Sequence, residues 1–417
     1  MKVVADLHIH SKYSRACSKE LELPKIAKAC ERKGINVVST GDFTHPAWFA
    51  AIQEQLREEG EGIFVLRDGS SRTKFLLGTE LACIYTHRDA VRRLHLCVFA
   101  PSIAAVAQLN ETLEKRGCNL HSDGRPILGL SAKALLQTIL DVDQRFVMIP
   151  AHAWTPWFAV FGSKSGYDSL EECFEELTPH IRAIETGLSS DPLMNRRLSK
   201  LDGITLVSNS DAHSLDNLGR EANVFELETI TQRALMDAIA TGDRAKFLYT
   251  IDFFPEEGKY HYDGHRDCGV SLHPRESQRA GWVCPRCKKP LTIGVMNRVE
   301  ELADRAEDAA PMERFVGYKK IVPLAAIIAD IESVGAGSKR VREQCNRLLR
   351  DVGNEFYLLL DAPIDAVARC AGPVIADAIM RVREGRITVE PGYDGVYGKV
   401  KIFDDEERKK QAQQALL

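Results

Sequence analysis

Ligand-type side chains follow several short apolar segments of this chain, and the first segment sets the pattern. The segment Lys2-Val3-Val4-Ala5 predicts a short β-strand that runs directly into Asp6-Leu7-His8-Ile9-His10. Alternate residues of a strand point to the same side, so His8 and His10 are placed to hold one metal ion. Imidazole is a preferred ligand of metals such as zinc and iron. The motif therefore predicts a metal site beside the first strand.

Further strand-like segments end in, or carry, residues that can bind metal. These residues are Asp42, His45, Glu80, His95, His152, Asp211 and His213. Segments with helical periodicity, such as 23–33, 132–140 and 231–241, separate most of the strands. Alternating strands and helices predict parallel pairing and a closed barrel, in which chemistry lies at the C-terminal ends of the strands. Unrelated polar residues would not gather at the same end of successive strands by chance.

These motifs resemble those of the polymerase and histidinol phosphatase (PHP) superfamily. The motifs concerned are DLHIH, TGDFTH, GTE, LHL, PAHAW and SNSDAH. The resemblance covers roughly residues 1–255. It implies an α/β fold with a distorted (β/α)7 barrel and a metal-dependent phosphoesterase activity. The second motif of the superfamily usually pairs Asp with an adjacent His, whereas Phe43 follows Asp42 here and the nearest histidine is His45.

Phosphodiester hydrolysis needs an activated nucleophile, a neutralised phosphate and a stabilised leaving oxygen, which two or three divalent metal ions supply together. We expect zinc, manganese, magnesium or iron in this role. Glu80 is our candidate bridging ligand. The expected ligand sets are His8, His10 and Asp211; His95 and His152 with Glu80; and either Asp42 or His45 with His213. Glu185 and Asn209 are candidates either for orienting these ligands or for ordinary hydrogen bonding at strand ends.

An aromatic loop follows His152 directly and so lies beside the expected metals. Trp154, Trp157 and Phe158 are candidates for a base pocket or for a wedge between base pairs. A damaged base leaves the helical stack at a lower cost than a normal one, and such a loop could receive it. An apolar loop core is the alternative interpretation, and it carries equal weight.

A second metal site is indicated downstream of the barrel. His265-x-x-Cys268 and Cys284-Pro-x-Cys287 place four ligands in two close pairs, as a closed structural zinc site requires. His261 and His273 remain alternatives to His265. Basic residues lie around this module and at the start of a later predicted helix; they are Arg275, Arg279, Arg286, Lys288, Lys289, Lys339, Arg340 and Arg342. They form either a DNA-binding surface or a solvated charged face.

Length and composition set the broader limits. A chain of 417 residues predicts two or three domains, which we place at 1–255 (the barrel), 256–300 (the zinc-binding module) and 301–417 (mostly helical, with DNA binding expected). The net charge of −4 means that contacts with nucleic acid must come from local clusters. Eleven mostly scattered cysteines favour a reducing cytoplasm. We expect no leader peptide, no membrane partner and a monomer.

The whole chain resembles the endonuclease Q family in the order of its parts. The tail motifs that carry this resemblance are KYHYDGHRDCGVSLHP, CPRCKKPLTIGV, NRVEELADR and PGYDGVYGKVKIF. Members of that family nick DNA on the 5′ side of uracil, hypoxanthine, xanthine and abasic sites. The resemblance therefore implies double-stranded DNA as a partner, and we keep a sliding clamp as a further candidate. A small-molecule phosphatase of the histidinol phosphate type, or a non-catalytic nucleic-acid-binding protein, are the alternative functions.

Overall fold

A computed structural model describes residues 1–307, 309–404, 406 and 407 of this mixed α/β protein. The chain divides into two compact units. Unit 1 comprises Met1–Glu31, Ile35–Ile251 and Arg298–Tyr318, and unit 2 comprises Arg32–Gly34, Asp252–Asn297 and the described residues from Lys319 onward. The division into three domains at residues 255 and 300 stays a prediction. The end of the predicted C-terminal domain, residues 408–417, lies outside the described residues.

The secondary structure alternates short strands with helices of modest length. The strands are β1 (Lys2–Asp6), β2 (Val37–Ser39), β3 (Leu56–Gly60), β4 (Ile63–Leu66), β5 (Lys74–Leu76), β6 (Gly78–His87), β7 (Ala90–Phe99), β8 (Ile127–Leu128), β9 (Val147–Pro150), β10 (Ala183–Glu185), β11 (Thr205–Val207), β12 (Ala222–Glu226), β13 (Phe247–Asp252), β14 (Asp263–His265), β15 (Val270–Leu272), β16 (Gly317–Lys320), β17 (Thr388–Glu390) and β18 (Lys399–Lys401). The α-helices are α1 (Leu23–Lys33), α2 (Pro46–Gln55), α3 (Ile103–Lys115), α4 (Ala132–Val142), α5 (Leu170–Phe174), α6 (Pro192–Asn195), α7 (Gln232–Thr241), α8 (Pro274–Arg279), α9 (Val295–Leu302), α10 (Leu324–Glu332), α11 (Lys339–Asp351), α12 (Ile364–Ala371) and α13 (Pro373–Arg383). The helices predicted at 23–33, 132–140 and 231–241 are confirmed as α1, α4 and α7.

Three sheets form the framework that carries the ligand-type residues. The largest has the strand order β16-β13-β12-β1-β2-β5-β4-β3, a second has the order β8-β6-β7-β9, and β10 pairs with β11. β1 with β2, β2 with β5 and β10 with β11 are parallel pairs. Core side chains from β1, β2, β7, β11, β12 and α7 form one buried cluster that includes Val3, Val37, Phe99, Val207 and Phe225. His8, His152, Glu185 and Asp211 lie at or just after the C-terminal ends of β1, β9, β10 and β11, so this core supports the strands that position them.

The expectation of uniformly parallel strands is wrong for β6, β7 and β9. β6 and β7 are antiparallel, and so are β7 and β9. Only Arg88 and Asp89 separate β6 from β7, and both have positive φ, at 50° and 59°. A two-residue connection of this conformation reverses the chain and forces a hairpin. The register places Ala82 opposite His95, so Glu80 and His95 lie on the same face of neighbouring strands.

Side-chain caps define where several helices begin. The hydroxyl groups of Ser102, Ser131 and Thr231 accept hydrogen bonds from the backbone N–H groups of Ala105, Ala134 and Ala234. Such caps satisfy N–H groups that have no partner within the helix.

Unit 2 contains the β14–β15 and β17–β18 hairpins and the helices α8 and α10 to α13. At the start of α11 the Ser338 hydroxyl accepts from Val341 N, so the glycine-containing turn before it ends in an ordinary N-cap. No helix in the described part of the chain is both long enough and apolar enough to span a membrane.

Candidate metal centre

The first group of candidate ligands forms around the chain segment that follows β1. This segment pairs at Ile9 with Ala212, which brings the Asp211 loop beside the two histidines. Asp211 Oδ1 lies 3.1 Å from His10 Nε2 and 3.7 Å from His8 Nε2. Glu80 Oε2 lies 3.3 Å from His10 Nε2 and 3.5 Å from His8 Nε2. His8, His10, Glu80 and Asp211, which we call the first ligand group, offer one ligand atom each within 4.8 Å of one another.

A second ligand group, Glu80, His95 and His152, shares Glu80 with the first. Glu80 Oε1 lies 2.9 Å from His95 Nδ1 and 3.1 Å from His152 Nε2. All three residues are buried. Because one carboxylate oxygen faces each group, Glu80 has the arrangement of a bridging ligand between two ions. The sequence analysis predicted this role and these two ligand sets.

The electrostatics of both groups suit cation binding. Burial lowers the pKa of His95 to about 4, so its imidazole is neutral near pH 7, the form that binds metal. Burial opposes the protonation of His10, but Asp42 and Asp211 outweigh this effect and raise its pKa well above its ordinary value. The same negative field that stabilises an imidazolium would stabilise a metal cation.

The residues present fit divalent metals. His8 Nε2 is fully buried and has no hydrogen-bond partner among the residues that the structure describes. A buried polar atom without a partner is costly, and a metal ion would satisfy it. Asp211 and His152 have positive φ, at 45° and 29°, a strained conformation for residues other than glycine. Strain of this kind concentrates at functional sites.

Arg125 belongs to the site, and the sequence analysis missed it. Its Nη1 donates to Glu80 Oε2 over 2.8 Å, and its side chain is 23% exposed. Burial opposes the charge on Glu80, but the positive charges around it, of which Arg125 is the permanent one, hold its pKa well below its usual value. Arg125 lies in a polar loop between α3 and β8 that carries no ligand motif, so no local pattern identifies it.

Asp42, His45 and His213 do not form a third ligand group within the described structure. Asp42 is fully buried; its Oδ1 lies 3.1 Å from His10 Nδ1, and its Oδ2 accepts hydrogen bonds from Ser11 and Ser14. This carboxylate therefore orients His10 through Nδ1 and is not itself among the ligand atoms of either group. His45 occupies the N-cap position of α2 without a capping hydrogen bond from its side chain, and its ring stacks on Tyr13, with ring centroids 4.3 Å apart.

His213 lies at the edge of the first ligand group. Its Nδ1 lies 2.8 Å from the backbone oxygen of Asp211, to which it donates, and its ring centroid is 4.7 Å from that of His10. The hydrogen bond at Nδ1 directs Nε2 away from the backbone of Asp211, so His213 keeps a free ring nitrogen at the rim of the site.

Glu185 and Asn209 form hydrogen bonds that help to position the ligand residues. Glu185 is buried at the end of β10, where its carboxylate accepts from His152 N over 2.8 Å and from Asn209 Nδ2 over 2.8 Å. Its Oε2 also lies 3.0 Å from His8 Nδ1. Cys97 completes a group with His8 and Glu185. Burial raises the pKa of the Cys97 thiol to about 12, so it stays protonated, as a neutral neighbour of His8.

The aromatic loop divides between interior and surface. Trp154 is buried, its Nε1 donates to Asn195 Oδ1 over 2.7 Å, and its ring packs on Phe161. The expectation that Trp154 contacts a base is therefore wrong, because this indole is part of the core. Trp157 is 49% exposed, and the ring centroid of Phe158 lies 4.4 Å from that of His95.

The four soft ligands predicted in unit 2 come together. His265 ends β14, and Cys268 lies in the turn that leads to β15. Cys284 N donates to Lys289 O over 2.7 Å, which closes the turn that carries Cys287. The candidate ligand atoms of His265, Cys268, Cys284 and Cys287 lie within 4.8 Å of one another. Neither of the alternatives His261 and His273 belongs to this group within the described residues. His273 instead caps α8, where its side chain accepts from Arg275 N.

The basic residues assigned to DNA binding are exposed and belong to unit 2. They are Arg275, Arg279, Arg286, Lys288, Lys289, Lys339, Arg340 and Arg342. Two of them are paired on the surface, since Arg340 forms an ion pair with Glu332 and Lys339 Nζ lies 3.7 Å from Glu343 Oε1. Exposed pairs of this kind are weak and exchange readily for a phosphate.

Comparisons with known proteins cover nearly the whole chain. The family model described as PHP-associated matches residues 194–243, and the one described as MJ0043 C-terminal domain matches residues 323–386. The uncharacterized protein YqxK of Bacillus subtilis is 30% identical over 418 residues, which covers 96% of this chain and 99% of that protein.

Two solved structures are similar over the same extent. The lesion-specific endonuclease PfuEndoQ from Pyrococcus furiosus has a TM-score of 0.86 and 32% identity, covering 97% of this chain and 96% of its own. Endonuclease Q in complex with a 27-mer duplex bearing an abasic lesion at the active site has a TM-score of 0.83 and 32% identity, covering 98% of both chains. Identity and coverage of this extent, together with the tail motifs, show that this chain belongs to the endonuclease Q family.

Proposed function

We propose that this chain is a DNA repair endonuclease that uses metals to hydrolyse the phosphodiester on the 5′ side of deaminated bases and abasic sites. One observation carries the proposal: two ligand groups, buried except at Asp211, share the carboxylate of Glu80 inside a chain that belongs to the endonuclease Q family. The lesions named here follow from the family resemblance and from the abasic duplex bound to the relative.

In this proposal His8, His10, Glu80 and Asp211 hold one divalent metal, and Glu80, His95 and His152 hold another. When bound, such ions activate water, neutralise phosphate charge and stabilise the leaving oxygen. Glu185 and Asp42 fix the ring orientation of His8 and His10 by accepting from Nδ1, so that Nε2 of each ring faces the site. Zinc, manganese, magnesium and iron remain the candidates.

Arg125 contributes the permanent positive charge of the site. Its guanidinium is partly exposed and presents planar N–H donors, which match the oxygens of a phosphate. We assign it the task of holding the phosphodiester against the ligand groups. No protein nucleophile is required.

Unit 2 serves DNA binding in this proposal. One structural zinc held by His265, Cys268, Cys284 and Cys287 leaves no open ligand position, so its contribution is to folding. The exposed basic residues around it would contact the phosphate backbone. We also propose a cytoplasmic location, because none of the eleven cysteines, all of which lie in the described part of the chain, forms a disulfide bond. We expect a monomer. A sliding clamp remains a candidate partner.

A nicking assay tests the proposal. Duplexes carry uracil, hypoxanthine, an abasic site or no lesion, and are incubated with and without added metal. We expect cleavage only of lesion-bearing strands, only with metal, and none by His8→Ala or Asp211→Ala variants that keep the wild-type unfolding midpoint. Rapid hydrolysis of histidinol phosphate without nicking would favour the phosphatase alternative, and DNA binding without any hydrolysis would favour the non-catalytic one.

A further inference from the structure

A cation–aromatic pair, in which the tryptophan is exposed and the arginine half-buried, lies beside the second ligand group. The guanidinium carbon of Arg93 is 4.8 Å from the ring centroid of Trp157. Trp157 is 49% exposed, which is unusual for so large an apolar side chain. Apart from this stacking, the Arg93 side chain has no hydrogen bond or ion pair within the described part of the chain. Its N–H donors are therefore available to an anion from outside.

The strand register places Arg93 on the face that carries the metal ligands. Arg93 precedes His95 by two residues on β7 and lies opposite Ile84, while His95 lies opposite Ala82. Alternate residues share one face of a sheet, so Arg93 is one step, about 6.6 Å, from His95 along the strand. A polymer that reaches the second ligand group from this side would pass over Arg93.

The position of Trp157 is tied to the same ligands. The Thr155 hydroxyl donates to Trp157 O over 2.9 Å and lies 3.1 Å from His152 Nδ1. His95 N donates to the oxygen of the next residue, Phe158, over 3.0 Å. The two histidines of the second ligand group thus hold both sides of the loop from which Trp157 projects.

We propose that Arg93 and Trp157 form a positioning site for the nucleotide next to the cleaved bond, with Arg93 on a backbone phosphate and Trp157 stacked on a base. The inference rests on the proposed nuclease function. A flat exposed indole stacks on any base, and an Arg that already lies on that ring keeps its planar donors free for phosphate. A small phosphate ester would have no use for such a pair.

Binding measured without cleavage tests the site. Wild-type protein and the variants Arg93→Ala, Arg93→Lys and Trp157→Ala, all with their metals bound, are titrated onto a fluorescent duplex over a series of salt concentrations. The duplex carries one abasic analogue with a non-hydrolysable, charged phosphonate linkage on its 5′ side. Arg233→Ala is the matched control, because Arg233 is an exposed arginine on α7 paired with Asp237. Metal content and the unfolding midpoint are measured for every variant.

We expect Arg93→Ala to bind about tenfold more weakly and to lower the salt slope by about one unit, as the loss of one phosphate contact does. Arg93→Lys should keep the slope, because the charge remains. Trp157→Ala should bind about tenfold more weakly with an unchanged slope, because stacking releases no counterions. Metal content should equal that of the wild type throughout.

Two outcomes would overturn this inference alone, and a third would overturn the proposed function together with it. In the first outcome, the DNA affinity and the salt slope of Arg93→Ala and Trp157→Ala equal those of Arg233→Ala. The pair would then have no part in DNA binding, even if the wild-type protein nicks lesions as proposed. In the second outcome, either variant loses metal. The pair would then stabilise the loop that carries His152 and would not contact DNA. If the wild-type protein fails to nick any lesion-bearing duplex, the proposed function fails and this inference fails with it.

Discussion

Glu185 Oε2 lies 3.0 Å from His8 Nδ1, while Nε2 of the same ring faces Glu80 and Asp211. A carboxylate at one ring nitrogen fixes the tautomer, so that the other nitrogen keeps its lone pair for a metal. Glu185 also accepts from the backbone N–H of His152, so one buried carboxylate supports a residue of each ligand group.

Replacing Glu185 should therefore weaken metal binding although Glu185 is outside both ligand groups that contain Glu80. We expect Glu185→Gln to lower metal affinity by about 10- to 100-fold, since the Gln amide is a poorer acceptor. Competition with a chelating dye measures the affinity. Glu226→Gln is the control, because the one ion pair of Glu226 within the described residues is with the exposed N-terminal amine. Equal affinity in both variants would contradict the supporting role.

Gly124 should tolerate no side chain, because it lies against the carboxylate that orients His10. A Cβ atom at Gly124 would lie 2.3 Å from Asp42 Oδ2 and 2.4 Å from Ser14 Oγ. We expect Gly124→Ala to displace Asp42, to lower stability by ~1–3 kcal/mol and to impair nicking. Gly129→Ala is the matched control, since a Cβ there meets no atom within 4 Å. Chemical denaturation and the nicking assay provide the two readouts, and equal results for the two variants would contradict the prediction.

The zinc site of unit 2 should act through folding. Cys284→Ser or Cys287→Ser should lose about one zinc per chain, lower the unfolding midpoint and weaken DNA binding more than the chemical step. Metal analysis and thermal unfolding measure these effects. Cys370→Ser replaces an exposed free thiol outside the site and should change neither. Unchanged zinc content in both ligand variants would show that these cysteines hold no metal.

Glu257 should make the protein less stable as the pH rises. Burial, and then the neighbouring charge of Glu256, raise its pKa from 4.5 to about 7. The folded state therefore binds this proton more tightly than the unfolded state, and the resulting stability is complete below pH 4.5 and is lost as the pH rises through about 7. The free energy of unfolding of Glu257→Gln should thus exceed that of the wild type by on the order of 2 kcal/mol at pH 8 and should equal it at pH 4.

Urea unfolding of the wild type and of Glu257→Gln across this pH range measures the difference between their free energies of unfolding. The titration of all other groups contributes equally to both proteins and cancels in this difference. A stability difference that does not depend on pH would mean that the pKa of Glu257 is the same in the folded and the unfolded state, and it would contradict the prediction.

The local sequence pattern was sufficient to predict structural features that depend on residues close together in the chain. The spacing of His8 and His10 places both Nε2 atoms near Glu80, because alternate residues of extended chain share a side. The two cysteine-containing turns of unit 2 likewise set their ligands in close pairs. Helices such as α1, α4 and α7 followed from apolar periodicity.

Only the tertiary structure decided the contacts between residues that are far apart in the chain. Arg125 reaches Glu80 across 45 residues, and Glu185 reaches His8 across 177. Trp154 and Trp157 belong to the same aromatic loop, yet one is in the core and the other at the surface. The periodicity of a sequence predicts on which side of a helix or strand a residue lies. Which residues it contacts and how deeply it is buried depend on what packs against that side, and this packing is decided by the tertiary structure of the whole unit.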